Sequence, residues 1–346
     1  MVNRVRTLFV VGAATSLLTG LLGGCSSGST SGGSSSGPSA SGGSSATIKV
    51  AMVPKLVGLA VFKANETGAQ NVAKELNIDF NYTGPVQALA QGQVDTFNAL
   101  INQKVDVITT TANNETVLAP ALEKAMAQGI KVVAYDSDVL PQARDVFVQN
   151  TPYPAMGKAL VDAIIPITGP KADIAILSST PDGTIQIAWL KAVHDYIASK
   201  YPGLKIVTTQ YGQSDPAQSL TAGLNILRSY PNVKGIIAPD GAAIVGAGNA
   251  VKQLGLSGKV GVSGTGTPND TKALIKAGNI SADVLWNEVK EGEFVMRIAR
   301  MVHDGKVPAN GSITVGSFGT RTVTNKVVVF SDPLTFTAAN VDQYNW

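Results

Sequence analysis

Short β-branched runs alternate with amphipathic stretches from Thr47 to about residue 305, and this alternation constrains the fold more than any other feature. Continuous apolar runs such as KVVAYD and ADIAILSS are typical of parallel strands buried on both faces. The runs predicted to be strands are Ile48–Val53, Asp79–Tyr82, Val105–Thr110, Lys131–Tyr135, Val146–Gln149, Asp173–Ser178, Lys205–Thr209, Gly235–Ala238, Val260–Ser263 and Ser281–Leu285.

Helices are predicted between these strands, and glycines at positions 129 and 255 mark two of the helix ends. The alternation predicts an α/β fold of doubly wound, mainly parallel sheets. The chain is too long for one sheet of five or six strands, so we expect two Rossmann-like lobes with a cleft between them. The clearest helix patterns are Val86–Asn102, Thr116–Gln128, Tyr153–Ile165, Thr184–Lys200, Pro216–Ser229, Ala242–Leu254 and Asn287–His303.

Residues 1–24 are predicted to be an export signal. Arg4 and Arg6 precede an apolar run of roughly 15 residues, which is shorter than the ~20 residues that span a bilayer. The sequence LGGC at residues 22–25 resembles a bacterial lipoprotein box, which implies that Cys25 carries a lipid. The alternative is an ordinary signal peptide with a chance cysteine.

Residues 26–46 are almost entirely serine and glycine, a composition that cannot form a core. We expect a flexible tether between the lipid at Cys25 and a folded body that begins near Thr47. The predicted location is therefore outside the cell, on the outer face of the cell membrane, in the periplasm or cell-wall zone.

Composition argues against several classes of function. The net charge is +3, and removal of Arg4 and Arg6 leaves about +1, so a nucleic-acid partner is not expected. One cysteine and two histidines offer no zinc cluster, and no metal or cofactor is predicted. The chain has no GxSxG elbow, no Walker loop and no dinucleotide fingerprint after a strand, so we predict that it is not an enzyme.

Polar residues follow the predicted strands, where ligands bind in open α/β sheets. A charged lysine at position 55 sits in an apolar segment, VAMVPKLVGLAVF, and needs hydration or a partner. Acidic groups at neighbouring strand ends can supply that partner across a cleft. The strand-end segments are residues 53–55, 110–114, 135–138, 178–180, 238–240 and 284–287.

Each charged candidate also has a purely structural interpretation. Lys55 can be a hydrated strand-end lysine, whereas Asp136 and Asp138 can form turns or cap helices. Asp240 precedes a helix pattern and can be its N-cap. As ligand contacts, these carboxylates would accept hydrogen bonds from adjacent sugar hydroxyl groups.

The uncharged candidates have similar alternatives. Trp286 and Phe62 can be core residues or can form the wall of a sugar site. Gln186 can be an exposed helix residue, and Asn114 can simply cap the helix that starts near Thr116.

The body resembles the sugar-binding proteins of bacterial ABC importers, in the ribose-binding type I periplasmic group. The likeness is strongest to autoinducer-2-binding and rhamnose-binding proteins and extends over nearly all of residues 47–305. The matching segments are VPKLVG (53–58), GQVDTFNALINQKVDVI (92–108), APALEKAMAQGIKVVAYDSD (119–138), IVTTQYG (206–212), IIAPD (236–240) and VLWNEVKEG (284–292).

The resemblance implies ligand contacts at Lys55, Asp136, Gln186 and Pro239, and matches Asp240 and Trp286 to contact positions of the wider family. Two positions differ from autoinducer-2 binders, which have aspartate at the position of Ile185 and alanine at the position of Gly241. A lost polar partner removes a hydrogen bond of roughly 1–3 kcal/mol. The differences favour a pentose, a deoxyhexose or a small polyol over autoinducer-2 itself.

We therefore expect a monomeric binding protein that closes around a small carbohydrate or polyol by a hinge motion and docks on an ABC permease with a separate ATPase. A sensory protein that presents its sugar to a receptor is the alternative. The predicted N-terminal lobe comprises residues 47–150 and 287–316, and the C-terminal lobe comprises residues 151–286 and 317–346. The predicted crossings lie near Asn150, near Trp286 and within residues 316–322.

Overall fold

The computed structural model describes residues 46–346. The predicted signal peptide, Cys25 and all but the last residue of the predicted tether lie outside this range. Within residues 46–346, no helix combines the length and the apolar character needed to cross a membrane.

Fourteen strands lie within the described part of the chain, and ten of them correspond to the strands predicted from the sequence. They are β1 (Ile48–Val53), β2 (Ile78–Tyr82), β3 (Val107–Thr110), β4 (Lys131–Tyr135), β5 (Val146–Gln149), β6 (Lys171–Ser178), β7 (Gly203–Tyr211), β8 (Val233–Ala238), β9 (Gly261–Gly264), β10 (Ala282–Leu285), β11 (Gly311–Thr314), β12 (Thr320–Thr324), β13 (Val327–Val329) and β14 (Leu334–Phe336).

The helices cover the faces of the sheets. The predicted helix 153–165 ends earlier, at Asp162, and a single turn follows at Ile165–Thr168, because the ring of Pro166 clashes with the carbonyl group four residues earlier. The helices are α1 (Ala60–Ala73), α2 (Ala90–Gln103), α3 (Glu115–Ala127), α4 (Tyr153–Asp162), α5 (Ile165–Thr168), α6 (Thr184–Lys200), α7 (Pro216–Ser229), α8 (Gly241–Gln253), α9 (Pro268–Lys276) and α10 (Glu288–His303).

The strands form two sheets, which confirms the predicted α/β fold with two mainly parallel sheets. The first has the order β11-β12-β13-β5-β4-β3-β1-β2, and the second has the order β14-β10-β9-β8-β6-β7. Pairing is parallel from β13 to β2 in the first sheet and from β10 to β7 in the second. The antiparallel pairs lie at the edges, where β11, β12 and β14 are added.

The chain passes between the sheets after β5, after β10 and after β13. The third crossing was predicted within residues 316–322, and residues 317–329 were assigned to the C-terminal lobe; this is wrong. Val327–Val329 pairs in parallel with β5, and β12 pairs with β13, so this segment extends the first sheet. A short β-branched run such as VVVF fits an open sheet edge, and the crossing follows it at residues 330–333.

Two glycines set the contact between α1 and α10, which lie on the first sheet. A Cβ atom on Gly292 would lie 2.0 Å from the carbonyl oxygen of Asn65, and one on Gly68 would lie 1.8 Å from the carbonyl oxygen of Val289. Only glycine allows the two backbones to approach this closely. This close contact between the two helices places the first turn of α10 beside the middle of α1, behind the cleft.

Candidate functional site

A cavity of about 1040 Å³ lies between the carboxyl ends of the two sets of strands. The strand-end loops of both sheets line it, as expected for open α/β sheets. Pro239 is not part of the lining, but its carbonyl oxygen accepts a hydrogen bond of 3.4 Å from Gln186 Nε2. The other predicted site residues all line the cavity: Lys55, Phe62, Asn114, Asp136, Gln186, Asp240 and Trp286.

Lys55 is paired with Asp136, an acidic group at the end of another strand of the same sheet. Its Nζ lies 3.4 Å from Asp136 Oδ2, and the two side chains are 15% and 10% exposed. Thr111 Oγ1 donates to Asp136 Oδ2 at 2.7 Å, and Asn150 Nδ2 donates to Oδ1 at 3.0 Å. Asp136 adopts a left-handed φ of 56°, a conformation that surrounding contacts must hold in a residue other than glycine. These three partners fix the carboxylate at the cavity.

Gln93 fixes the loop that carries Lys55, although it was not among the residues predicted from the sequence. The side chain is fully buried; its Nε2 donates to Pro54 O at 3.1 Å and to Thr111 O at 2.8 Å. Its Oε1 accepts from Asn113 N at 3.0 Å. The available signal was a polar residue four positions before Phe97, on the core face of a predicted helix.

Asp240 caps helix α8 and also lines the cavity, so both interpretations of this residue apply. Its Oδ1 accepts hydrogen bonds from the backbone N–H groups of Ala242 and Ala243 at 3.1 and 3.0 Å. Its Oδ2 accepts from Ser214 Oγ at 2.8 Å. Burial raises the pKa of Asp240, and the hydrogen bond from Ser214 and the charge of Lys55 oppose that rise. Lys55 and Asp240 therefore face the cavity from opposite lobes.

Asn114 also has two structural roles. Its Oδ1 caps α3 by accepting from the backbone N–H groups of Thr116 and Val117 at 3.1 and 3.0 Å. Its Nδ2 lies 3.4 Å from Asp182 Oδ2, in the loop after β6 of the other lobe. This hydrogen bond joins the two sides of the cavity at its rim.

Asp138 lies close to Asp136 in sequence but is not part of the cavity lining. Arg144 binds both of its carboxylate oxygens, with Nε at 2.6 Å from Oδ1 and Nη2 at 2.8 Å from Oδ2. Asp138 therefore binds Arg144, a role that was not predicted.

Aromatic side chains form one wall of the cavity. The rings of Trp286 and Trp189 meet edge to face with centroids 5.9 Å apart. Trp286 is 2% exposed and Phe62 is 5% exposed, so each belongs to the core and also borders the cavity. Trp189, which was not among the predicted site residues, follows Gln186 by one helical turn and faces the same side of α6.

A buried aspartate holds the loop after β9, which also lines the cavity. Asp283 Oδ1 accepts from Gly266 N at 2.9 Å, and Oδ2 lies 2.8 Å from Thr271 Oγ1. The Thr271 hydroxyl group also lies 3.0 Å from Thr267 O and has one hydrogen. A proton on Asp283 Oδ2 completes this chain, since the carboxyl group then donates to Thr271 and Thr271 donates to Thr267. Burial raises the pKa of Asp283 to about 8.

The cavity therefore offers carboxylate acceptors, a lysine donor and an amide side chain beside an apolar wall. Such a lining suits an uncharged, polar guest with apolar faces. In the described part of the chain, no group of three histidine, cysteine or acidic side chains could hold a metal ion.

Comparison with known proteins gives a family match. The family described as periplasmic binding protein domain matches residues 50–306. The D-apiose import binding protein of Actinobacillus succinogenes is 26% identical over 238 residues, which cover 66% of this chain and 74% of the relative.

Two solved structures of binding proteins share the fold. An ABC transporter solute binding protein from Clostridium phytofermentas with bound L-rhamnose is 29% identical, with a TM-score of 0.82 over 86% of this chain and 98% of that one. LsrB from Clostridium saccharobutylicum in complex with AI-2 is 26% identical, with a TM-score of 0.82 over 86% of this chain and 100% of that one. By their names, the Actinobacillus relative is an import binding protein and the Clostridium phytofermentas structure is an ABC transporter solute binding protein, in agreement with the prediction that the chain is not an enzyme.

Proposed function

Since this chain belongs to the periplasmic binding protein family, we propose that it is the sugar-binding component of an ABC importer, held to the membrane by a lipid on Cys25. The observation that carries the proposal is the convergence of Lys55, Asp136, Gln186 and Asp240 on one cavity from both lobes. A ligand that contacts both lobes at once stabilises their closed arrangement, because it gains all of its contacts only there.

The site residues have complementary roles in this proposal. The carboxylates of Asp136 and Asp240 accept hydrogen bonds from ligand hydroxyl groups, and Lys55 donates one. Asp240 Oδ2 already accepts from Ser214, and a carboxylate oxygen has room for a second donor. Phe62 and Trp286 pack against the C–H faces of the sugar ring.

The proposed ligand is a pentose, a deoxyhexose or a small polyol. Two observations support this choice of ligand. The relatives and structures described above bind D-apiose, L-rhamnose and AI-2 according to their names. In this chain Ile185 lines the cavity, and an apolar side chain there suits a methyl or C–H group better than a hydroxyl group.

A binding screen followed by calorimetry tests the proposal. The purified chain is heated with D-apiose, L-rhamnose, D-ribose and small polyols, and a ligand that binds only the folded state raises Tm. The affinity of the best ligand is then measured for Asp136→Ala, Asp240→Asn and the exposed control Asp195→Ala. Asp195 forms a surface pair with Lys191, away from the cavity.

We expect Asp136→Ala and Asp240→Asn each to weaken binding at least about tenfold, the effect of a hydrogen bond to a charged group, and Asp195→Ala to leave affinity unchanged. Affinity is measured well below each variant's Tm, because Asp136→Ala also leaves Lys55 without its partner. A chain whose Tm responds to no sugar or polyol, or whose Asp136→Ala and Asp240→Asn variants bind as tightly as the original, contradicts the proposal.

Import is favoured over sensory presentation, because the Actinobacillus relative is described as an import protein and the Clostridium phytofermentas structure as part of an ABC transporter. Loss of sugar uptake in cells that lack this chain supports import. Normal uptake together with a lost response to the sugar supports the sensory role instead.

A further inference from the structure

Two glutamates are buried side by side at the start of α10. Glu288 is 1% exposed and Glu291 is 0% exposed. Asn65 Nδ2, from α1, donates to Glu288 Oε2 at 2.7 Å and lies 3.1 Å from Glu291 Oε2. Asn65 therefore bridges the two carboxyl groups. The proposed function assigns no role to this pair.

The pair is connected to the cavity through one side chain. Trp286 lines the cavity, and its indole Nε1–H donates to Glu291 Oε2 at 2.7 Å. An indole N–H can only donate, so its orientation depends on a suitably placed acceptor. Glu291 is that acceptor, and the edge-on contact with Trp189 holds the other side of the ring.

In the described part of the chain, neither carboxyl group has a cationic partner within 4.0 Å. Two adjacent carboxylates without a cation cannot both stay charged in an apolar interior, so the pair retains a proton. In the described residues Glu288 Oε1 and Glu291 Oε1 have no hydrogen-bond partner, so either oxygen can carry that proton. Burial raises the pKa of both groups, and the negative charge of Asp136 raises each further.

The groups around the pair also favour its retaining a proton. The charges of both glutamates and of Asp136 add to the effect of burial in raising the pKa of the Tyr135 phenol, which therefore stays neutral near the pair. β3 contributes no titratable side chain, since its sequence is VITT. The titratable and charged groups on the elements packed around the pair are Lys63 and Glu66 of α1, Tyr82 of β2, Tyr135 and Asp136 at the end of β4, Lys55 paired with Asp136, and Lys290 and Glu293 of α10 itself.

We propose that Glu291 is a positioning residue for ligand binding: through a proton shared with Glu288 it holds the Trp286 indole at the cavity wall. The inference rests on the proposed function for the identity of the ligand. The contacts among Trp286, Glu291 and Glu288 do not depend on that function. When the shared proton is lost, the two carboxylates repel each other and Asp136, and the acceptor of the indole moves. Ligand affinity therefore falls as the pH rises through the titration of the pair.

The first test needs no ligand. Trp189→Phe and Trp346→Phe in the full chain leave Trp286 as the only tryptophan. We expect its emission to change with pH at a midpoint above the ordinary glutamate pKa of 4.5. Glu291→Gln removes this transition, because the amide cannot ionise, whereas Glu293→Gln on the same helix keeps it. Emission that is constant from pH 4 to 9, or that titrates equally in Glu291→Gln, overturns the proposal.

The second test measures the affinity for L-rhamnose and D-apiose as probes. Glu291→Leu removes the acceptor, and we expect binding to weaken about tenfold. Glu291→Gln keeps an acceptor oxygen, so it binds like the original chain at pH 6 but loses the decrease in affinity at higher pH. Glu293→Gln keeps both affinity and pH profile.

The two arms separate the two proposals. If neither probe binds the original chain, the emission titration alone decides whether Glu291 positions Trp286. If a probe binds equally well to Glu291→Leu, or if affinity is independent of pH while the emission titrates, Glu291 does not act on the ligand and the proposal fails.

Discussion

Asp283→Asn replaces a buried carboxyl group on β10 by an amide of the same shape. The introduced amide keeps the contacts of the protonated acid, since its oxygen accepts from Gly266 N–H and its NH₂ group donates to Thr271 Oγ1. The substitution therefore removes the titration of this group while the local hydrogen bonds remain. We expect the variant to be more stable than the original chain at neutral pH.

The magnitude follows from the pKa of Asp283, which burial raises from 3.8 to about 8. Between these values the folded chain keeps a proton that the unfolded chain releases, so the free energy of unfolding falls as the pH rises. The full slope is about 1.4 kcal/mol per pH unit. The amide does not titrate, so the stability advantage of the Asp283→Asn variant over the original chain grows by about 3 kcal/mol between pH 5 and 7.

The assay is urea unfolding followed by circular dichroism at pH 5, 6 and 7, with both chains in the same buffers. Glu75→Gln is the matched control. The hydrogen bond from Arg297 lowers the pKa of Glu75, so this group is ionised in the folded and unfolded chains throughout most of the range. The difference in unfolding free energy between the Glu75→Gln variant and the original chain should therefore change little between pH 5 and 7. A stability difference between the Asp283→Asn variant and the original chain that is constant from pH 5 to 7 refutes the assignment of a proton to Asp283.

Two further predictions concern the close contact between α1 and α10 and the proposed lipid on Cys25. Gly292→Ala places a Cβ atom against Asn65 O, so we expect a loss of about 3 kcal/mol in unfolding free energy, measured by urea titration. Gly241→Ala, where no atom lies within 4 Å of the added Cβ, is the control and should not be destabilising; equal stability of the two variants would refute the close crossing. Cys25→Ser should release the chain from cell membranes into the soluble fraction, as seen by immunoblotting, and retention on the membrane would count against a lipid at Cys25.

Most of the ten strands were predictable from the sequence because they are short apolar runs that are largely buried, a pattern that depends on local composition. The edge strands β2 and β7 instead alternate between more and less buried residues. Helix α1 was not predicted. Its buried face includes Ala64, Asn65, Gly68 and Ala69, small or polar residues that suit close contact with α10 and not an ordinary apolar stripe. The strands after residue 310 do not stand out, because β11 and β12 are polar and β13 and β14 have only three residues each, so the third crossing was misplaced.

The cavity residues were predictable to a large extent because parallel strands bring their carboxyl ends to one edge of each sheet. Lys55, Asp136 and Asp240 follow strands directly, and their positions in the fold are fixed by topology. Gln93, Asp283 and Glu291 could not be found in this way. Their roles depend on hydrogen bonds to segments that are distant along the chain, and a polar residue in a helix or strand pattern does not reveal such partners.

Asp240 and Asn114 both cap helices and line the cavity, and this limits how the ligand selectivity of the cavity can change during evolution. Each caps a helix with its side-chain oxygen, so a substitution that alters ligand preference there also destabilises the scaffold, typically by about 1 kcal/mol. Ile185 and Phe62 border the same space and make no polar contact that the scaffold needs. Substitutions of similar volume along this apolar wall can therefore change ligand preference without removing a helix cap.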